Sequence, residues 1–503
     1  MALPPYVLAA IGTLALAAAT LHHVLRTWAR TRALKQLGEP PLAVFGSWPF
    51  GIDLVARIIR INLNNNHLED ARAWFTETGR HTVQLNFLGA TLIMTDEPEN
   101  TKALLATQFS DYGKGWILYE TLKTFLGDGI FNTDGHAWSN SRHLARSIFS
   151  KERISDLHCF ESHIQKMIKH IPADGTSCDL QNLFFRFTLD SATDFLLGES
   201  INSLDNPNVL FAKAFEHVQD VAATRANLGS WWRLYYSRTY GRDIKILEDF
   251  VEPYVERTIL SARTDEKKEK NKDFCFLDAL AEFTTDRRVL RDQFINMLLA
   301  ARDTTAATLS WVFYELARNP LVFLTLKNEI VERLGTDTIP TYDDIKEMKY
   351  LQNVINETLR CYPAVGQNVR YALKDTTLPL GGGPDGLDRI YVRKGEPVGY
   401  SVMNMHRRSD LWGPDADEWK PERWYKSAPK PWTFLPFNGG PRVVSPIFFH
   451  FSATNMFFFK NSNFALTEMG YTIIRILQHF SIIENRDFSP RIMKKNIILT
   501  SGT

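Results

Sequence analysis

Residues 291–318 pair an acid with hydroxyls in apolar surroundings. The middle of this stretch reads Asn296-Met297-Leu298-Leu299-Ala300-Ala301-Arg302-Asp303-Thr304-Thr305-Ala306-Ala307. Apolar residues flank it on nearly every side, the mark of a buried helix. A buried acid costs free energy unless it is paired, so Asp303 needs an explanation. The threonine hydroxyls can bond back to the preceding turn, a purely structural use. Alternatively, Asp303 and Thr304 form a carboxylate–alcohol pair that moves protons to a bound oxygen species. Two other pairings stand out. Glu357 and Arg360 lie at i and i+3 on one helix face; in isolation such a pair is usually a surface salt bridge worth little. Trp138 and Arg142, at i and i+4, suit a cation–π or packing contact.

These residues need long helices to hold them. The spacing predicts a helix over Arg291–Arg318, ended by Asn319-Pro320. Most segments from about Pro98 to Tyr362 carry helical spacing. Thr82–Phe87 and Thr91–Met94 read as two strands about Leu88-Gly89-Ala90. Strand-like pieces return between Asn368 and Tyr400, interrupted by Gly381-Gly382-Gly383-Pro384-Asp385-Gly386. The expected class is mainly α with small sheets near the two ends of the chain. The charge run Glu266–Lys272 reads as a solvated loop.

With 503 residues and 44% hydrophobic content the chain is globular, and its net charge of +1 gives no reason to expect a nucleic-acid partner. The four cysteines, Cys159, Cys178, Cys275 and Cys361, are far apart with no pair at CxxC spacing, which argues against a zinc site and a disulfide scaffold and fits a reducing compartment. Tyr6–Leu25 is apolar apart from Thr13, Thr20, His22 and His23, and roughly 20 such residues span a bilayer. Arg26, Arg30, Arg32 and Lys35 follow it and place the body of the protein in the cytosol. Residues 1–37 are therefore expected to be an uncleaved membrane anchor and its basic flank. Gly38-Glu39-Pro40-Pro41 forms a stiff hinge between the anchor and the main domain, residues 38–503.

The run Phe437-Asn438-Gly439-Gly440-Pro441-Arg442 resembles the start of the haem-binding loop of the cytochrome P-450 family. The segment around Asp303-Thr304 is similar to that family's oxygen-activating motif, with Ala301 where Gly is usual. Glu357-Thr358-Leu359-Arg360, followed by Pro421-Glu422-Arg423-Trp424, resembles its helix-to-meander triad. The resemblance implies a structural triad of Glu357, Arg360 and Arg423, with bidentate Arg–carboxylate geometry. It implies haem propionate donors at Trp138, Arg142, Arg370 and Arg442, with Phe437 also in the haem loop. The stretch 381–408 looks closest to fungal membrane-bound enzymes that hydroxylate alkanes and fatty acids. The implied protein is a haem monooxygenase of the endoplasmic reticulum. It would act on a hydrophobic, long-chain substrate, with O2 and electrons from NADPH delivered by a separate flavoprotein reductase. A tailoring role in secondary metabolism is the other substrate reading.

One position breaks the resemblance. The family places its iron-ligating cysteine two residues after the loop arginine, and here that residue is Val444. Pro446 stands where a Gly is usual. The next recognisable helix begins at Phe464. The 21 residues between, Val443–Asn463, hold six Phe and no acid. They suit neither a haem loop nor an exposed insertion. Codons permitted by Val444-Ser445, Thr454-Asn455, Phe457–Phe459 and Asn461-Ser462 can spell a donor, a branch sequence, a pyrimidine tract and an acceptor in the order of an intron. The segment reads as a retained intron with a frame slip. The other readings are a catalytically inactive, haem-free membrane binding protein, or replacement of the thiolate by His450 or Met456.

Overall fold

The computed structural model describes residues 43–46, 51–64, 67–87, 90–148, 157–263, 275–426, 428–443, 464–486, 493–495 and 499–501, with isolated positions between 13 and 48. These residues fall into two compact units. The anomalous segment from Val444 to Asn463 lies outside them, as does most of the apolar run Tyr6–Leu25. Among the described residues, no helix is long and apolar enough to cross a membrane.

The first unit holds most of a six-stranded sheet. Its strands are β1 (Ala43–Phe45), β2 (Thr82–Phe87), β3 (Ala90–Thr95), β4 (Tyr112–Gly113), β5 (Gln367–Ala372) and β8 (Pro397–Ser401), in the order β1-β2-β3-β8-β5-β4. β2 and β3 form the expected hairpin, in register from Thr82↔Thr95 to Phe87↔Ala90. Alternation along β2 turns Val83 and Leu85 inward against Leu54, Trp74, Phe75 and Met94. β6 (Thr376–Gly382) and β7 (Asp388–Val392) make a separate hairpin through the glycine-rich turn. Gly383 sits there at φ +76°, where an added Cβ would meet the Asp388 carboxylate at 2.3 Å.

The second unit is helical. Six of its helices carry the argument: α1 (Gly135–Ile148), α2 (His158–Lys169), α3 (Leu180–Leu197), α4 (Arg287–Leu316), α5 (Lys349–Cys361) and α6 (Phe464–His479). The long helix α4 starts four residues earlier than its spacing predicts. Asp286 is the reason, because its side chain accepts hydrogen bonds from the N–H groups of Arg288 and Val289. α4 packs along α3 and against α6, and its upstream half enters the main apolar cluster through Leu290, Phe294, Ile295 and Leu298. The loop before α1 touches α4 closely. Asn296 donates to Leu126 O at 2.8 Å, and a Cβ on Gly129 would overlap the Asn296 side chain.

A buried carboxyl joins two of these helices. Glu468 on α6 is 1% exposed and accepts a 2.5 Å hydrogen bond from Ser191 Oγ on α3. Burial pushes its pKa up to about 8, against the opposing hydrogen bond of Ser191. The folded state therefore holds this proton more tightly than the unfolded chain. Its stabilisation is complete below the ordinary glutamate range and is lost as pH rises through about 8. Thermal melts at pH 5 to 9 should show Glu468→Gln losing less stability with rising pH than the parent, by a few kcal/mol at ~1.4 kcal/mol per pKa unit. Equal slopes would show that Glu468 does not titrate as the fold implies.

Candidate functional site

The site is anchored by α5. Its amphipathic spacing turns Glu357 and Arg360 inward, and both side chains are fully buried. Arg360 grips Glu357 through two parallel bonds, Nε to Oε2 at 2.8 Å and Nη2 to Oε1 at 2.7 Å. Its remaining donors reach the carbonyls of His406, Ala416 and Glu418 at 2.6 to 2.8 Å. Glu357 also accepts from Lys420 N at 2.9 Å and from Trp424 Nε1 at 3.1 Å. Arg423 reaches Glu357 Oε1 at 3.4 Å, but its closer partners are Asp415 Oδ1 and Asp415 O, each at 2.7 Å. The structure thus brings Glu357, Arg360 and Arg423 together, and adds Asp415 as the main partner of Arg423.

The network continues to the loop through His406, which the sequence reading used only as part of a subgroup pattern. His406 is buried, and desolvation followed by the Arg360 charge pushes its pKa down to about 3. The ring is therefore neutral. Nε2 accepts from Leu435 N at 2.8 Å, which leaves Nδ1 to donate to Arg360 O at 3.2 Å. Leu435 starts the turn that carries half-buried Phe437. Asn438 and Gly440 take positive φ values of 69° and 66°, and Gly439 lies so close to the Trp432 ring that a Cβ would sit 2.7 Å from it.

Beyond that turn the chain meets a cluster of two arginines and a tryptophan. The Arg442 guanidinium lies 4.7 Å from the centre of the Trp138 ring, and the Arg142 guanidinium 5.8 Å from it. Arg142 Nη1 donates to Val443 O at 3.1 Å, tying α1 to the loop. Burial, and then the Arg146 charge, lower the Arg142 pKa. Arg442 Nη2 donates to Thr133 O at 2.9 Å and to Asp134 Oδ1. Asp134, unremarked in the sequence, also accepts from the N–H groups of Lys114 and Gly115. Trp138, Arg142 and Arg442 therefore come together as one group. Arg370 belongs to the sheet unit, where it is buried over the Tyr400 ring and donates to Val369 O at 2.8 Å.

On α4, Asp303 and Thr304 have separate partners. Asp303 is buried and forms an ion pair with the preceding Arg302 at 3.1 Å. Desolvation raises its pKa, opposed first by the Arg302 charge. Arg302 itself lies 5.3 Å from the centre of the Phe185 ring and 5.7 Å from that of Phe215. The Thr304 hydroxyl donates to Ala300 O at 2.7 Å, the back-bond that a structural role requires. Arg302 was missed from the sequence, although a formal charge in so apolar a helix was the available signal.

The fit to a haem divides in two. Its carboxylates match the chemistry of the Trp138, Arg142 and Arg442 cluster. Its iron finds no thiolate. All four cysteines are among the described residues, and none lies in the loop. Cys361 is buried beside Arg360, and desolvation pushes its thiol up to about 11, so it is protonated at neutral pH. Burial also raises the pKa of Cys275 and Cys178. Val444, at the expected ligand position, lies outside the described residues.

Breaking the buried pair on α5 tests the anchor. Glu357→Ala leaves Arg360 as an uncompensated buried charge, at a cost of about 3–5 kcal/mol. Arg360→Lys also loses the fork of donors and should destabilise nearly as much in urea unfolding. A lysine variant of parental stability would show that the fork is dispensable.

The cytochrome P-450 family profile matches residues 48–443, ending where the loop reaches Val443. The cytochrome P-450 monooxygenase pvhE of Talaromyces variabilis is 38% identical, over 96% of this chain and 92% of its own length. Cytochrome P-450 52A13 of Debaryomyces hansenii is also 38% identical, over 94% and 91%. Cytochrome P-450 52A1 of Candida tropicalis is 40% identical, over 82% and 77%. Members of this family use haem iron and typically draw electrons from NADPH through a reductase. By sequence match over most of its length, the chain belongs to the cytochrome P-450 monooxygenase family.

Proposed function

We propose that this protein, in the form made from a fully spliced message, is a membrane-bound monooxygenase. It hydroxylates a long aliphatic substrate at or near its end, with O2 and electrons from NADPH delivered by a separate flavoprotein reductase. The observation that carries the reading is the Asp303–Thr304 step on α4, with Asp303 buried and Thr304 half-buried, within a chain of this family. Haem iron supplies oxygen activation in the family; the residues of this chain supply binding and protons. Asp303, its pKa raised by burial, holds a proton more readily than a surface aspartate does. Thr304 must release Ala300 O before its hydroxyl can pass a proton onward. Trp138, Arg142 and Arg442 are the proposed carboxylate donors. The exposed apolar positions Leu14, Leu21, Val24 and Leu25 support an N-terminal anchor in the endoplasmic reticulum, with the body in the cytosol.

The missing thiolate favours a second reading, in which the literal chain is a haem-free binding protein. Expression separates the two. Protein made from the sequence as written should copurify with little haem and hydroxylate nothing. Val444→Cys alone should restore nothing, because the 21 residues of Val443–Asn463 remain. The message should lack the codons for that stretch and contain a Cys codon. Its product should give a thiolate-type carbon monoxide difference spectrum and hydroxylate fatty acids or alkanes when supplied with reductase and NADPH. A message that keeps the stretch and has no such codon would sink the active reading. Stoichiometric haem in the literal protein would sink the inactive one.

Within the spliced protein, Thr304→Ala should lower turnover by at least ~100-fold, the usual size of one positioned proton donor. Thr304→Ser should restore most of it. Unchanged turnover in the alanine variant would leave Thr304 with only its back-bond.

A further inference from the structure

The helix pair α2 and α3 carries a group of side chains that the monooxygenase reading does not use. Cys159 and His163 stand one turn apart on α2, hence on the same face. Asp194 on α3 reaches both, with Oδ2 2.9 Å from His163 Nε2 and 3.5 Å from Cys159 Sγ. The three donor atoms all lie within 4.8 Å of one another. Around a tetrahedral metal with bonds of ~2.0–2.3 Å, neighbouring donors stand ~3.3–3.6 Å apart. Small side-chain shifts would therefore close the site. We propose that Cys159, His163 and Asp194 bind a divalent transition metal of the zinc or cobalt class.

The chemistry of the donor set selects the metal. Thiolate and imidazole suit zinc and cobalt, whereas calcium and magnesium take oxygen donors. A thiolate and a carboxylate together neutralise the dication. The Asp194 carboxyl is held below the usual aspartate range, chiefly by its hydrogen bond from His163, so it is ready as a ligand. His163 is buried while Asp194 is one-third exposed, so the group is reached by solvent from the Asp194 side. The nearest competing cation, Lys166, is directed elsewhere: to Asn202 Oδ1 at 3.0 Å and Asp205 at 3.5 Å. Binding replaces the Cys159 S–H bond with an S–metal bond and releases that proton to solvent. The His163 ring proton moves from Nε2 to Nδ1. That nitrogen is buried and has no hydrogen-bond partner, so the site lacks the outer acceptor that usually strengthens a metal-bound histidine. The expected affinity is therefore micromolar, well short of a structural zinc site, and it should rise with pH as the thiol gives up its proton.

Cobalt(II) titration of the detergent-solubilised full chain tests this, after treatment with a chelator. One equivalent should bind with a thiolate-to-cobalt charge-transfer band and release of one proton, and zinc should displace it. Cys159→Ser should abolish the band, and His163→Gln and Asp194→Asn should each weaken binding by about tenfold or more. Far-ultraviolet circular dichroism should show each variant folded; the parent's own band and proton release decide the question even where a variant fails to fold. Absence of the band in the parent, or its persistence in folded Cys159→Ser, would overturn the assignment.

Discussion

The buried ion pair between Glu357 and Arg360 is the constraint on which the site depends. Two opposite charges, both fully buried, are stable only when every donor and acceptor finds a partner. Arg360 meets this by reaching three carbonyls of the segment after His406, and Glu357 by accepting from Lys420 and Trp424. These bonds fix the path of about twenty residues that have little regular structure of their own.

His406 extends that constraint to the loop. Its neutral ring is a relay of position, with one nitrogen bonded to the carbonyl of Arg360 and the other to the N–H of Leu435. The turn holding Phe437 is thus set from α5. The far end of the loop is set from α1, where Arg142 bonds the carbonyl of Val443 and Trp138 lies near two guanidinium groups. The loop is well supported on both sides, up to the residue where the family's pattern fails.

The central helix shows how a sequence motif and its geometry differ. Asp303 and Thr304 are neighbours in sequence, but each side chain has its own partner. Asp303 turns to Arg302, and Thr304 turns back to Ala300. Their proposed cooperation in proton transfer therefore needs a rearranged threonine hydroxyl rather than a standing bond between the two.

Much of this was legible in the residues themselves. Local patterns determine the β2–β3 hairpin, the buried character of α4 and the helical spacing of Glu357 with Arg360, because each follows from periodicity over a few turns or strand residues. The absence of a ligand cysteine is likewise a fact of sequence alone. Other features depend on which segments meet. The Asp415 partner of Arg423, the His406 link to Leu435, the Asp134 cap on Arg442 and the Ser191–Glu468 bond join residues from 8 to 308 positions apart. The grouping of Cys159 and His163 with Asp194 is of the same kind. A histidine or an aspartate has no partner until the chain is packed, and burial then decides its protonation. Sequence therefore determined the family and its missing ligand, while tertiary structure alone decided which polar side chains are satisfied and by whom.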